Sequence, residues 1–149
     1  EKQGRFVASK ALEGLDLVIV GAGPAGLSAA LEARARGLRF VVLERTNAAS
    51  TVRAFPPGKK VYAEPRYLKN ASRLETEGDL ERDDFVARVD ALVAEKAIPI
   101  KEGAEVSRVI KRGEGAFDVV TANGKSFQTA NVVVAVGRQG EADASFFFG

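Results

Sequence analysis

Neither cysteine nor histidine occurs anywhere in the 149 residues. Without cysteine there is no disulfide, no thiolate nucleophile and no paired-thiol redox centre. Without either residue, Cys/His zinc sites and dyads that need an imidazole are excluded, and no metal site is expected. Long apolar runs are missing too. None approaches the ~18 residues a membrane-spanning helix requires, so no span is expected. The opening stretch EKQGRFVASKALEGL lacks an apolar segment followed by a small-residue cleavage site, which argues against a signal peptide and makes the cytoplasm the default expectation. It begins at Glu1 and not at Met, as a processed or excerpted chain would. Charge of one sign is scarce as well: 22 basic residues stand against 20 acidic ones, a net +2, and no nucleic-acid partner is expected. Side chains this poor in reactive groups make a bound cofactor the better source of any chemistry.

What is present is ordinary globular material, 46% hydrophobic and 28% charged, enough for one domain with a sizeable core. Residues 1–14 read as a polar lead-in and residues 15–149 as the domain. Leu15 to Val20 is a short apolar run closed by glycine, the pattern of a buried parallel strand. Pro24 to Arg36 reads as a helix with proline in its first turn and Gly37 as its stop. Arg39 to Glu44 is a second apolar strand, which completes a strand–helix–strand unit of about 30 residues. From Arg45 to Gly78 periodicity disappears, and a loop of that length is more often functional than idle. Helical spacing returns from Leu80 to Ala97, with Phe85, Val86, Val89, Leu92 and Val93 on one face and Asp83 and Asp84 near the start, where negative charge suits the helix dipole. Ile98-Pro99-Ile100 is a short edge-strand candidate. Three alternating runs follow, Glu105 to Arg112, Ala116 to Ala122 and Lys125 to Thr129, with Asn123-Gly124 predicting a type I′ hairpin turn. Asn131 to Val136 is a last buried strand, ending at Gly137.

Gly21, Gly23 and Gly26 fit G-x-G-x-x-G between the first strand and the first helix. The first glycine permits the tight turn, the second lets a pyrophosphate approach the backbone, and the third lets the helix pack close to the sheet. The helix N-terminus offers free N–H groups and partial positive charge to phosphate. Such a turn could also serve packing alone. Glu44, at the end of the second strand and ~20 residues past the turn, stands where a carboxylate accepts hydrogen bonds from an adenosine ribose, and that argues for a ligand. A carboxylate there disfavours the 2′-phosphate of NADP. On this physics FAD and NAD both stay open.

GAGPAGLSAA followed by VVLER resembles the N-terminal FAD-binding segment of the pyridine-nucleotide disulfide oxidoreductase superfamily. ERDDFVARVDALVAE is similar to the helix before that family's third strand, AFDVVTANGKSF to its β-meander, and TANVVVAVG to its closing strand and glycine. The resemblance runs from Asp16 to Gly137, and within the superfamily it leans towards thioredoxin-reductase-like and bacillithiol-disulfide-reductase-like flavoproteins that lack the redox cysteine pair. It implies an α/β fold: a Rossmann-like FAD-binding domain, with a central parallel sheet and a β-meander crossover. It implies FAD as cofactor, NAD(P)H as electron donor of the parent protein and hydride transfer to flavin, then electrons to an unidentified acceptor. The cofactor contacts it implies are Gly21, Gly23, Pro24, Ala25, Gly26, Glu44, Arg45, Val106, Ala135 and Gly137; no catalytic residue is assigned. Val136 stands where the family commonly has Thr in an Ala-Thr-Gly signature, which removes one hydroxyl. No second G-x-G-x-x-G is present and no Gly-Asp pair follows Gly137, so a nicotinamide domain is expected to be absent.

The segment from Arg53 to Arg73 carries six basic residues (Arg53, Lys59, Lys60, Arg66, Lys69 and Arg73) against Glu64. It reads either as a flap, with a basic residue near a pyrophosphate and Phe55 or Tyr62 near a flavin, or as a solvated loop. Phe146, Phe147 and Phe148 are expected to pack on a sheet face or a further domain. Two other readings of the whole stay open: a dinucleotide-binding or interaction module without turnover, and an NAD-binding Rossmann domain. A homodimer is also left open.

Overall fold

The computed structural model describes residues 14–62, 67, 70–76 and 80–137. The predicted lead-in, apart from Gly14, and Glu64, Arg66, Lys69 and Phe146–Phe148 lie outside the described residues. Four strands form a parallel sheet: β1 (Leu17–Val20), β2 (Phe40–Leu43), β5 (Ile100–Lys101) and β9 (Val132–Val134), in the order β5-β2-β1-β9. Leu17 to Val20 register with Phe40 to Leu43, and Val18 to Val20 register with Val132 to Val134. Helix α1 (Pro24–Ala35) makes the first crossover, and α3 (Arg82–Glu95) precedes β5. An antiparallel meander of β6 (Val106–Gly113), β7 (Ala116–Thr121) and β8 (Ser126–Thr129) carries the chain from β5 to β9.

The apolar runs of β1 and β2 are continuous because both faces of this sheet are covered. Their side chains alternate between two cores. Leu17, Ile19, Phe40 and Val42 pack with Leu27, Ala30, Leu31, Phe85 and Val89 on the helical side. Val18, Val20, Val41 and Leu43 pack with Val106, Val109 and Val119 on the meander side. Each Val, Leu, Ile or Phe side chain among them contributes about 1.5–3 kcal/mol when fully buried, which is why a four-residue strand suffices. The predicted apolar face of α3 splits accordingly: Phe85 and Val89 are buried, while Val86, Leu92 and Val93 pack at the margin.

The chain runs outward from β1 through β2 to β5, then returns to place β9 on the other side of β1. The crevice at the C-terminal ends of β1 and β9 is therefore a topological switch point, where open parallel sheets place ligands. The glycine turn sits there.

Several boundaries differ from the sequence reading. The segment after Arg45 is not wholly aperiodic: it holds a one-turn helix α2 (Ser50–Arg53) and a strand β3 (Lys60–Val61). Strand β3 pairs antiparallel with β4 (Leu80–Glu81), so Leu80 and Glu81 are strand residues and the helix starts at Arg82. A two-residue pairing leaves no periodicity to read. The Asn123-Gly124 turn is also not type I′. Only Gly124 has a positive φ, +84°, and its N–H closes a β-turn onto Thr121 C=O at 2.9 Å. The Asn123 carboxamide oxygen instead accepts from Thr121 Oγ1 (2.6 Å) and Lys125 N–H (3.3 Å), a local bond that holds Asn123 out of the left-handed region. Among the described residues no helix is long and apolar enough to cross a membrane.

Candidate functional site

The three glycines of the turn do three different things. Gly21 has φ +101°, and a Cβ there would lie 2.4 Å from Ala135 C=O. Gly26 sits on α1 where a Cβ would lie 1.9 Å from Gly21 C=O and 3.5 Å from the Ala135 side chain. These two positions let turn, helix and the end of β9 close on one another, so Gly21, Gly26 and Ala135 form one contact. Gly23 is unlike both. Its backbone is extended (φ −75°, ψ −177°), a conformation any residue adopts, and an added Cβ would meet nothing within 4 Å. The protein itself places no demand for glycine at Gly23.

Gly23 caps α1 with no side-chain hydrogen bond, Pro24 follows, and no acid lies in the first turn. The first bond of the helix runs from Leu27 N–H to Gly23 C=O at 2.9 Å. The amides of Ala25 and Gly26 are helix-end donors without an intrahelical acceptor, and Pro24 has none to leave. Pro24 and Ala25 are exposed. This end of α1 presents donors and partial positive charge without a counter-charge of its own.

Glu44 is buried and turns towards the glycine turn. Its Oε2 accepts the Ala22 N–H at 2.8 Å, and its Oε1 accepts the Thr46 N–H (2.9 Å) and Thr46 Oγ1 (3.1 Å). A carboxylate oxygen offers two lone pairs. Oε1 is fully committed to Thr46, while Oε2 keeps one acceptor position. Arg45 is exposed beside it. Val106 is buried in the meander-side core, so its side chain serves packing. Gly137 is exposed with φ +69° and open space around it, a conformational glycine past β9. Val134 and Val136 near it are exposed.

Three basic residues of the segment make contacts within the fold. Arg53 donates from Nε to Ala48 C=O at 2.8 Å and pairs with Asp90 on α3. Arg73 pairs with Glu32 on α1 at 2.7 Å. Lys59 lies over the Phe55 ring, 4.0 Å from its centroid, and Phe55 packs against the helical-side core. Tyr62 is exposed.

Two features, one at the far end of β1 and one at the glycine turn, carry no sequence signal. Asp16 grips Arg39 through the Arg39 N–H (2.8 Å), Nε (3.2 Å) and Nη2 (2.8 Å), fastening the start of β1 to that of β2. The Arg39 side chain holds the Asp16 carboxyl below its ordinary value, with the Arg39 backbone N–H adding to this. The other is the way Ala22 is clamped. Its N–H goes to Glu44, and its C=O accepts from Ala49 N–H at 2.8 Å. Ala49 is buried in the left-handed region, with φ 56° and ψ 29°.

Comparison with known proteins bears on the fold and the family. No curated protein matches the sequence. Among solved structures, bacillithiol disulfide reductase from Staphylococcus aureus superposes with a TM-score of 0.67 at 20% identity, over 85% of this chain and 39% of that one. Thioredoxin reductase from Lactococcus lactis gives 0.63 at 18%, over 83% and 35%. A flavin-containing monooxygenase from Stenotrophomonas maltophilia gives 0.63 at 23%, over 83% and 38%. At these identities the likeness is one of fold, and this chain spans less than two fifths of the length of each. The profile of one family, pyridine nucleotide-disulphide oxidoreductase, matches residues 18–147. That match takes in the glycine turn, Glu44, the meander and β9, and the chain belongs to the pyridine nucleotide-disulphide oxidoreductase family.

Proposed function

We propose that this chain is the FAD-binding domain of an NAD(P)H-dependent flavoprotein oxidoreductase, and that the glycine turn holds the AMP-and-pyrophosphate half of the cofactor. The observation that carries this reading is Gly23. The backbone conformation and the empty space around it leave its glycine unexplained by the fold, and a pyrophosphate lying against the turn needs that space. The amides of Gly23, Ala25 and Gly26 would hold the phosphates. The remaining acceptor position on Glu44 Oε2 takes one ribose hydroxyl, and its negative charge repels a 2′-phosphate. Arg45, Val106, Ala135 and Gly137 border the same crevice in this reading, which runs over residues 15–149 as one domain. Cytoplasmic residence fits this reading.

Bound FAD supplies two-electron chemistry, accepting hydride from NAD(P)H and releasing electrons to an acceptor. The contribution of this chain is binding and orientation. With no cysteine, it has no disulfide of its own to relay electrons.

The test combines a spectrum with a variant. The purified or FAD-reconstituted chain is expected to show bound-flavin absorbance, and Gly23→Val is expected to lose it with little change in Tm, since a Cβ at this position meets no protein atom within 4 Å. A chain that takes up no FAD sinks the reading; if it then binds NAD, the nicotinamide alternative replaces it. Equal FAD affinity in Gly23→Val refutes the cradle. Bleaching of the bound flavin by NAD(P)H separates turnover from binding alone.

A further inference from the structure

The glycine turn is held from behind by a backbone hydrogen bond from the segment after β2. A trans peptide is rigid and planar, with its C=O and N–H pointing in opposite directions, so fixing one fixes the other. The Ala22 C=O is held by Ala49 N–H at 2.8 Å. The Gly23 N–H, in the same peptide, therefore points away from Ala49, towards the open side of the turn.

Ala49 holds that carbonyl from a left-handed backbone, which an alanine adopts at a cost of about 1–2 kcal/mol unless its surroundings impose it. Its surroundings hold it there. The Ala48–Ala49 peptide is gripped at its oxygen by Arg53 Nε (2.8 Å), and Arg53 is itself tied to Asp90 on α3. Arg82 Nη1 braces the same corner through Arg53 C=O (3.3 Å) and Phe55 C=O (3.1 Å). The preceding peptide is gripped at its nitrogen: Ala48 N–H donates to Glu102 Oε1 at 3.0 Å. Glu102 follows β5 and is exposed, with Gly103 turning the chain behind it at φ +68°.

We infer that Glu102 and Arg53 are positioning residues for the phosphate cradle, acting through the Ala48–Ala49 corner to aim the Gly23 amide. This assigns a role to Glu102, which carries no motif, and gives Arg53 a backbone to hold in place of a phosphate. The inference rests on the dinucleotide reading for its functional consequence, but not for its structural one.

Glu102 offers a test by sign. A carboxylate acting through space on an anionic pyrophosphate repels it, so both Glu102→Ala and Glu102→Gln would tighten FAD binding. A carboxylate acting as hydrogen-bond acceptor is replaced by the carboxamide oxygen of Gln and is lost in Ala. We expect Glu102→Ala to weaken FAD roughly 3–10-fold, the loss of one net hydrogen bond, and Glu102→Gln to stay within about twofold of the parent chain. Tighter binding in both variants, equal weakening in both, or no change in either overturns the inference. For Arg53→Ala the expected loss of affinity persists at high salt. A loss that vanishes with added salt means direct contact with phosphate and overturns the role given to Arg53.

Amide exchange in the FAD-free chain separates this inference from the proposed function. Glu102→Ala is expected to speed exchange at Ala48 and Ala49 at an unchanged Tm, and Glu102→Gln is not. If the parent chain takes no FAD, the function fails while this result still stands or falls on its own; unchanged exchange in Glu102→Ala overturns it.

Discussion

The two long helices end alike and begin in opposite ways. At the C-terminus of α1, Gly37 turns left-handed (φ +67°), its N–H bonds Arg34 C=O and the Leu38 N–H bonds Ala33 C=O, each at 3.0 Å. At the C-terminus of α3, Ala97 does the same at φ 48°, with Ala97 N–H to Ala94 C=O at 3.2 Å and Ile98 N–H to Val93 C=O at 3.0 Å. Both are paired closures that satisfy the last carbonyls. The N-termini differ. Neither has a side-chain cap, but α3 brings its own negative charge, Asp83 and Asp84 in the first turn, whereas α1 begins Gly23-Pro24-Ala25 with no acid. A helix that supplies its own counter-charge is complete; α1 supplies none at the switch point of the sheet, and in the proposed function the cofactor's phosphates take that place.

The largest effect expected from breaking this comparison comes at Gly26, because the open end of α1 exists only where the helix lies against the turn. A Cβ at Gly26 would sit 1.9 Å from a backbone oxygen, which cannot swing away. We expect Gly26→Ala to cost about 3 kcal/mol or more, the upper end of overpacking penalties, measured as a fall in chemical-denaturation midpoint. Gly23→Ala, with open space, is expected to cost under ~1 kcal/mol, as a changed cap does. Similar losses at the two positions would mean that Gly23 serves packing after all.

A smaller effect tests the charge difference itself. Ala25→Glu gives α1 the acid it lacks and is expected to stabilise the ligand-free chain by about 0.3–1 kcal/mol while weakening FAD. Asp83→Asn takes an acid from α3 and is expected to cost a similar amount, with FAD affinity unchanged. Arg82 lies against Asp83 (2.6 Å), so part of that cost is the exposed ion pair. If both substitutions shift stability in the same direction, the contrast between the helix ends is not electrostatic.

How much of this was legible in the sequence divides along physical lines. The β1-α1-β2 unit and the meander were, because burial on both faces writes a continuous apolar run and one-sided burial writes alternation. Gly21 and Gly26 were legible through their spacing. What could not be read is held by backbone. Strands β3 and β4 are two residues each and have no period. The Asn123 turn was misread because a side-chain bond, not glycine-like freedom, fixes its shape. The clamp on Ala22 depends on which way peptides 22–23 and 48–49 face, and on Glu102 meeting Ala48 across 54 positions of sequence. No residue type at those positions announces such a contact. The acid at Glu44 was visible, but not that three protein donors already occupy it.

The smallest effect expected lies at the opposite end of β1 from the glycine turn, where Asp16 fastens β1 to β2 through Arg39. The Asp16 carboxyl is held below its ordinary value, first by the Arg39 side chain and then by the Arg39 N–H. A depressed carboxyl stabilises the fold at pH above its unfolded value, near 3.8, and that contribution is lost as pH falls through the lower folded value. The Arg39 partner stays charged throughout, so protonation of Asp16 alone breaks the charged pair. Asp16→Asn should therefore lower Tm slightly at neutral pH, and the gap between the two chains should close as pH drops below about 4. Because Arg39 is exposed and Asp16 only partly buried, the neutral-pH difference is expected to be small and to shrink further in salt. No gap at neutral pH would mean that the Arg39 N–H bond, which Asn can keep, carries the junction and the charge does not.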